Sequence, residues 1–116
     1  MCMKENAVQQ KSFQFAIKSI ELYKLLLQRN EFVLSKQFLR SATSIGANIE
    51  EALAAYSKRE FASKMSIASK EARETMYWLK LLEIGEFIIY DYKIIKDNCS
   101  ELIKLLTAIV KTSQIN

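Results

Sequence analysis

The chain has 116 residues, 50% hydrophobic and 26% charged, which is enough apolar material for one packed core and too much for a disordered segment. It has no proline, two glycines (Gly46 and Gly85) and no histidine; this disfavours a β fold and excludes Ser–His and Cys–His nucleophile pairs, His-based zinc sites and Glu-x-x-His di-iron ligands. The net charge is +4, with seven Lys/Arg against three Asp/Glu in residues 1–49 and ten of each sign thereafter.

Residues 1–8 are polar and unpatterned and read as a loose tail. A first helix is expected from about Ser12 to Arg29, with Phe13, Ala16, Ile17, Ile20, Tyr23 and Leu27 as its core stripe. Asn30 and Glu31 suit a turn. A second helix opens near Ser35, a good N-cap residue, and continues to about Ala55. Its inward residues are Phe38, Leu39, Ala42, Ile45, Ile49, Leu53 and Tyr56. Gly46 sits beside that stripe at a cost of about 1 kcal/mol relative to alanine, which close approach of a neighbouring helix would explain. Ser57-Lys58-Arg59-Glu60 is a capping box opening a third helix. Phe61, Met65, Ala68, Ala72, Met76, Leu79 and Leu82 form its core stripe, and Gly85 is the expected left-handed stop. Residues 86–90, Glu-Phe-Ile-Ile-Tyr, have no strand to pair with and read as a packed connection. Asp91 caps a fourth helix, with Ile94, Ile95, Cys99, Leu102, Ile103, Leu106, Ile109 and Val110 inward, fading after about Lys111. Long helices with short connections must run antiparallel to their neighbours, so the expected fold is all-α: one domain over 1–116, an antiparallel up-down-up-down four-helix bundle.

No stretch approaches the roughly 18 apolar residues of a membrane span, and Met1-Cys-Met-Lys-Glu-Asn has no apolar signal core. The expected location is cytoplasmic, with no membrane partner and with Cys2 and Cys99 as reduced thiols.

The first helix carries a second apolar set. Phe15, Leu22 and Leu26 lie roughly opposite the Phe13–Leu27 stripe, with Leu25 on their flank and Lys11, Lys18 and Arg29 as a basic border. On the third helix Ile67, Trp78 and Leu81 fall away from the core stripe. These seven apolar residues are the expected surface for self-association into a homo-oligomer; the plainer alternative is a wide stripe with scattered exposed side chains. On the second helix Gln37, Arg40, Ser44, Asn48 and Glu51 form an outward polar stripe. Arg40 and Glu51 stand three turns apart, and each needs a partner elsewhere. Lys11, Lys18, Arg29, Lys36 and Arg40 are the candidate contacts for RNA or DNA. Glu71 and Glu74 lie one turn apart and Glu50 and Glu51 are adjacent; Glu71 and Glu74 read as partners of lysine or arginine, Lys70 being spaced i, i+4 from Glu74, and no acid–base or metal role is expected of these carboxylates. No catalytic residue, metal, cofactor or small-molecule substrate is expected.

The run Gln37-Phe-Leu-Arg40-Ser-Ala-Thr-Ser44-Ile45-Gly-Ala-Asn48-Ile49-Glu-Glu51 carries the pattern Q-x-x-R-x-x-x-S-I-x-x-N-I-x-E. Ser57-x-x-Glu60-Phe61, Ile67-Ala68 and Glu71-Ala-x-Glu74-Thr75-x-Tyr77-Trp78-Leu79 continue it. Together, over about residues 12–110, they resemble the bacterial four helix bundle protein family, some members of which are encoded in intervening sequences of 23S ribosomal RNA genes. The resemblance implies an up-down bundle that assembles as a homopentamer; the doubled apolar face and the basic first half suggest a scaffold with RNA or a ribonucleoprotein as a further partner. Accessory proteins of diversity-generating retroelements look similar and engage a reverse transcriptase and nucleic acid. A second reading is therefore a nucleic-acid-binding accessory protein using the basic first half. Many members have Glu-Gly where this chain has Glu51-Ala52, so the second helix is expected to run on to Ala55.

Overall fold

The computed structural model describes residues 3–115. Four helices follow one another: α1 (Met3–Gln28), α2 (Leu34–Leu53), α3 (Lys58–Gly85) and α4 (Lys93–Ile115). At 1.5 Å per residue, the 28 residues of α3 span about 42 Å, nearly the whole 47 Å length of the molecule. The connections 29–33, 54–57 and 86–92 reach roughly 14–25 Å at most, too short to return to the starting end, so each helix reverses on the last. Contacts run in opposing order along the neighbours: Lys64 with Glu51 and Glu74 with Arg40 between α3 and α2, Lys96 with Glu83 and Thr107 with Arg73 between α4 and α3. α1 packs on α2 and α4, and α3 packs on α2 and α4, which makes a square of four.

The core of α1 differs from the expected stripe. Its buried residues are Val8, Ser12, Phe15, Ser19, Leu22 and Leu26, spaced alternately four and three apart. Phe13, Ile17 and Ile20 lie in solvent instead, and Ala16, Tyr23 and Leu27 are half-buried. The physical reason is the two serines. Ser12 and Ser19 donate to the carbonyls of Gln9 and Phe15 within their own helix, so each hydroxyl is satisfied without water. They then serve as small core residues where helices approach. A Cβ on Gly46 would lie 3.5 Å from Ser12 Oγ, which places α1 close against α2 at that glycine.

Further boundaries and faces shift for local reasons. α1 begins at Met3 and Val8 is buried, so the expected tail is largely helix; Met1 and Cys2 lie outside the described residues. Glu31, placed by its sequence in a turn, caps α2 from before its first turn. Its carboxylate accepts from the amides of Val33, Leu34 and Ser35, the last at 2.6 Å, and Ser35 returns a hydrogen bond to the Glu31 carbonyl. These satisfy orphan donors of a helix start. α2 ends at Leu53, short of Ala55, and Tyr56 is fully exposed instead of inward. Ser57 caps α3 by accepting from the Glu60 amide, while the Glu60 carboxylate accepts from Tyr56 one residue earlier than in the standard box. The left-handed residue after α3 is Glu86 (φ 53°), not Gly85, which stays helical. Gly85 is needed for another reason: a Cβ there would collide with the Phe87 ring folded over the helix end. Asp91 accepts from the Lys93 amide and opens α4, which runs on to Ile115 with Ile94 exposed and Ile103 and Val110 half-buried. In the connection 86–92, Ile88 and Tyr90 lean on the core while Phe87 and Ile89 face water.

Cys99 is buried, free, and donates to the Ala72 carbonyl; burial pushes its thiol up to about 12. The Tyr92 ring packs edge-on to Tyr90, with its hydroxyl buried and without a partner among the described residues.

Candidate interaction surfaces

The polar stripe of α2 lies along the seam with α3. Arg40 reaches across to Glu71 at 3.2 Å and Glu74 at 2.5 Å, and the Trp78 indole donates to the same Glu74 oxygen at 2.9 Å. Three turns along α2, Glu51 pairs with Lys64 at 2.7 Å. Arg40 and Glu51 thus find the partners their spacing demanded, within their own chain. The hydrogen bond to Glu74, above all, raises the Arg40 guanidinium above its ordinary value. The Trp78 hydrogen bond, followed by that from Arg40, lowers the Glu74 carboxyl. Beneath this pair the Thr75 and Ser41 hydroxyls lie 2.9 Å apart in the buried interface. Asn48 donates back to the Ser44 carbonyl on α2, and Gln37 is exposed. The small residues Ser41 and Ser44 let α3 approach α2, and the charges above them fix its register. Two cations, Arg40 and Lys64, bridge three carboxylates, Glu71, Glu74 and Glu51, across the seam, which suits a structural clasp. Among the described residues no group of three or more His, Cys, Asp or Glu is placed to hold a metal ion, and no helix is long and apolar enough to cross a membrane.

The residues expected to form an oligomer interface do not share a surface. Phe15, Leu22 and Leu26 are in the core of their own chain, so the inference that one copy cannot shelter them is overturned. Leu25 is partly exposed, two turns beyond Lys18 on the flank toward α4. Ile67 is partly exposed on α3. Trp78 and Leu81 are half-buried, with Trp78 against the core and edge-on to Tyr77. The face left uncovered on α1 is the one first assigned to the core. Phe13, Ile17 and Ile20 are 63%, 40% and 40% exposed on a single rigid helix flank. Beside Phe13 and Ala16 runs a shallow groove floored by Ser12, Thr43, Gly46 and Ala47 and closed by Glu50. Helical spacing would have found this face once the serines were counted as core. A second apolar group, Phe32, Val33, Ile84, Phe87 and Ile89, is exposed at the end of the bundle where the first and third connections lie.

The five basic residues proposed as nucleic-acid contacts are also dispersed. Lys11 pairs with Glu101 of α4 at 3.3 Å and, with Lys18, lines a groove of about 360 Å³ between α1 and α4 that also holds Gln10, Gln14 and Asn98. Arg40 is clasped on the α2–α3 seam, and Arg29 and Lys36 flank the first connection. No one surface brings them together.

Four long helices around a core of apolar side chains, with Arg40, Glu51, Glu71 and Glu74 paired within the chain along the α2–α3 seam, define an all-α four-helix-bundle protein. The chain belongs to the 23S rRNA-intervening sequence protein family, whose model matches residues 4–108. It is similar to the 1.70 Å crystal structure of a protein with unknown function from the S23 ribosomal protein family of Bacteroides thetaiotaomicron VPI-5482. The two are 50% identical, with a TM-score of 0.90 over 94% of this chain and 99% of that one. No curated protein matches the chain.

Proposed function

We propose that this is a non-catalytic assembly protein of the cytoplasm that associates with further copies of itself through the outward flank of α1. The observation that carries it is the exposed row of Phe13, Ile17 and Ile20. Fully burying such a side chain is worth about 1.5–3 kcal/mol, so three half-covered ones leave several kcal/mol for a partner surface to recover. The row spans eight residues, roughly 10 Å of helix from first to last, beside the small-residue shoulder of Thr43, Gly46 and Ala47, which a partner helix can approach closely. The pentameric number comes from the family resemblance. The absence of histidine and the internal pairing of Arg40, Glu51, Glu71 and Glu74 support a role without catalysis.

Light scattering on size-separated protein tests the surface. Phe13→Asp combined with Ile17→Asp should reduce the particle to the mass of one chain while the helical circular dichroism is retained. An equally large particle in that variant would remove this face from the assembly, and a wild-type protein that is one chain at every concentration would remove the assembly itself.

A further inference from the structure

Charge is sorted across the helices in a way that its order along the chain conceals. On α3, Glu71 and Glu74 turn toward α2 and Arg40, whereas Lys70, Arg73 and Lys80 line the outer groove toward α4. On α4, Glu101 turns toward α1 and Lys11, whereas Lys96 and Lys111 line the same groove. Lys93 and Lys104 share that outer face of α4 by helical position, each one turn from a groove residue. One side of the bundle thus gathers seven Lys/Arg. The acids beside them are Glu83, paired with Lys96, and Asp97, paired with Lys93. Seven minus two is +5, and Glu101, one turn from both Asp97 and Lys104, brings it to +4, the charge of the whole chain. All the remaining surface together is therefore close to neutral.

The groove has two adjoining stretches, about 550 and 250 Å³, joined at Arg73. From Ser66 to Lys80 they follow about 21 Å of α3, the length of roughly six duplex steps at 3.4 Å each. Between the cations stand the neutral hydrogen-bonding groups Ser66, Ser69, Ser100 and Gln114, while the Thr107 hydroxyl is already committed, donating to the Ile103 carbonyl and accepting from Arg73. Hydroxyl and amide donors interleaved with Lys and Arg suit phosphate oxygens. A protein partner would instead be expected to need buried aromatic anchors, and no aromatic side chain lines either stretch.

We propose that the α3–α4 groove binds the phosphate backbone of a nucleic acid strand, in place of the dispersed basic residues of the first half. It lies across the bundle from the α1–α2 groove, and it is argued from charge and lining residues, not from the assembly reading. The test is a titration of fluorescein-labelled 20-nucleotide RNA and DNA, single-stranded and duplex, followed by anisotropy at 50 and 200 mM salt. Wild-type protein should bind at 50 mM and lose about a thousandfold in affinity by 200 mM if about six phosphates are contacted. Replacing Arg73, Lys80, Lys104 and Lys111 together by Gln should weaken binding at least tenfold at 50 mM and lower the log–log salt slope by about 3. A Lys18→Gln, Arg29→Gln, Lys36→Gln control should bind like wild type. Circular dichroism must show both variants folded. No wild-type binding at 50 mM, equal losses in the two variants, or competition by polyglutamate as effective as by RNA would each overturn the proposal, the last by assigning the groove to an acidic protein.

Discussion

Leu22 and Ile20 stand two positions apart on α1, and the fold assigns them opposite roles. Leu22 is fully buried among the core side chains, so Leu22→Ala removes its transfer free energy and leaves a cavity, together about 3 kcal/mol within the 2–5 kcal/mol range for such truncations. Ile20 already has 40% of its surface in water, and Ile20→Ala should cost about 1 kcal/mol or less within one chain. For a domain of this size 1 kcal/mol moves the Tm by about 4 °C, so the two variants should melt roughly 12 °C and at most about 4 °C below their parent. Thermal unfolding followed by circular dichroism should be measured in the Phe13→Asp, Ile17→Asp background, so that loss of association does not add to the Ile20 value. Equal losses, or a larger loss for Ile20→Ala, would refute the Val8–Ser12–Phe15–Ser19–Leu22–Leu26 core and restore the opposite face.

Three further outcomes follow from individual groups. Tyr92→Phe removes a buried hydroxyl that has no partner among the described residues and should stabilise the protein by about 1 kcal/mol, read as a rise in Tm; a fall would show that the hydroxyl is satisfied. Because pairing lowers the folded-state Glu74 carboxyl below its unfolded value, its contribution is present above the ordinary value of 4.5 and is lost as the pH falls through the folded value. Wild type should therefore lose more Tm than Glu74→Gln between pH 6 and pH 3, and identical pH profiles would count against the Arg40–Glu74–Trp78 cluster. With its thiol buried and pushed up to about 12, Cys99 should react with a thiol reagent at pH 8 only as fast as the chain opens, measured in a Cys2→Ser background. Rapid labelling of folded protein would place Cys99 nearer the surface.

Where large apolar residues carried the pattern, the sequence was legible. Phe38, Ala42, Ile45 and Ile49 on α2, Met65, Ala68, Ala72, Leu79 and Leu82 on α3, and Ile95, Cys99, Leu102 and Leu106 on α4 are buried where their spacing places them. α1 misled because two of its six core positions are serine, whose hydroxyls bond to their own helix, while larger residues stand on the flank. Glu31 was hidden because a carboxylate in a turn looks like solvent until its acceptors meet three amides. Arg40 and Glu51 showed that partners were needed but not where; Glu71, Glu74 and Lys64 become those partners only once α3 lies along α2. The basic α3–α4 side was invisible to counting along the chain, because helix rotation separates the acids of each helix from the bases beside them in sequence.

Sedimentation equilibrium of wild-type protein from about 1 to 100 µM reads the number of chains per particle without reference to shape. A discrete species of several 13.4 kDa chains is the predicted result. A single 13.4 kDa chain throughout would mean that Phe13, Ile17 and Ile20 remain in water, and would contradict self-association through α1.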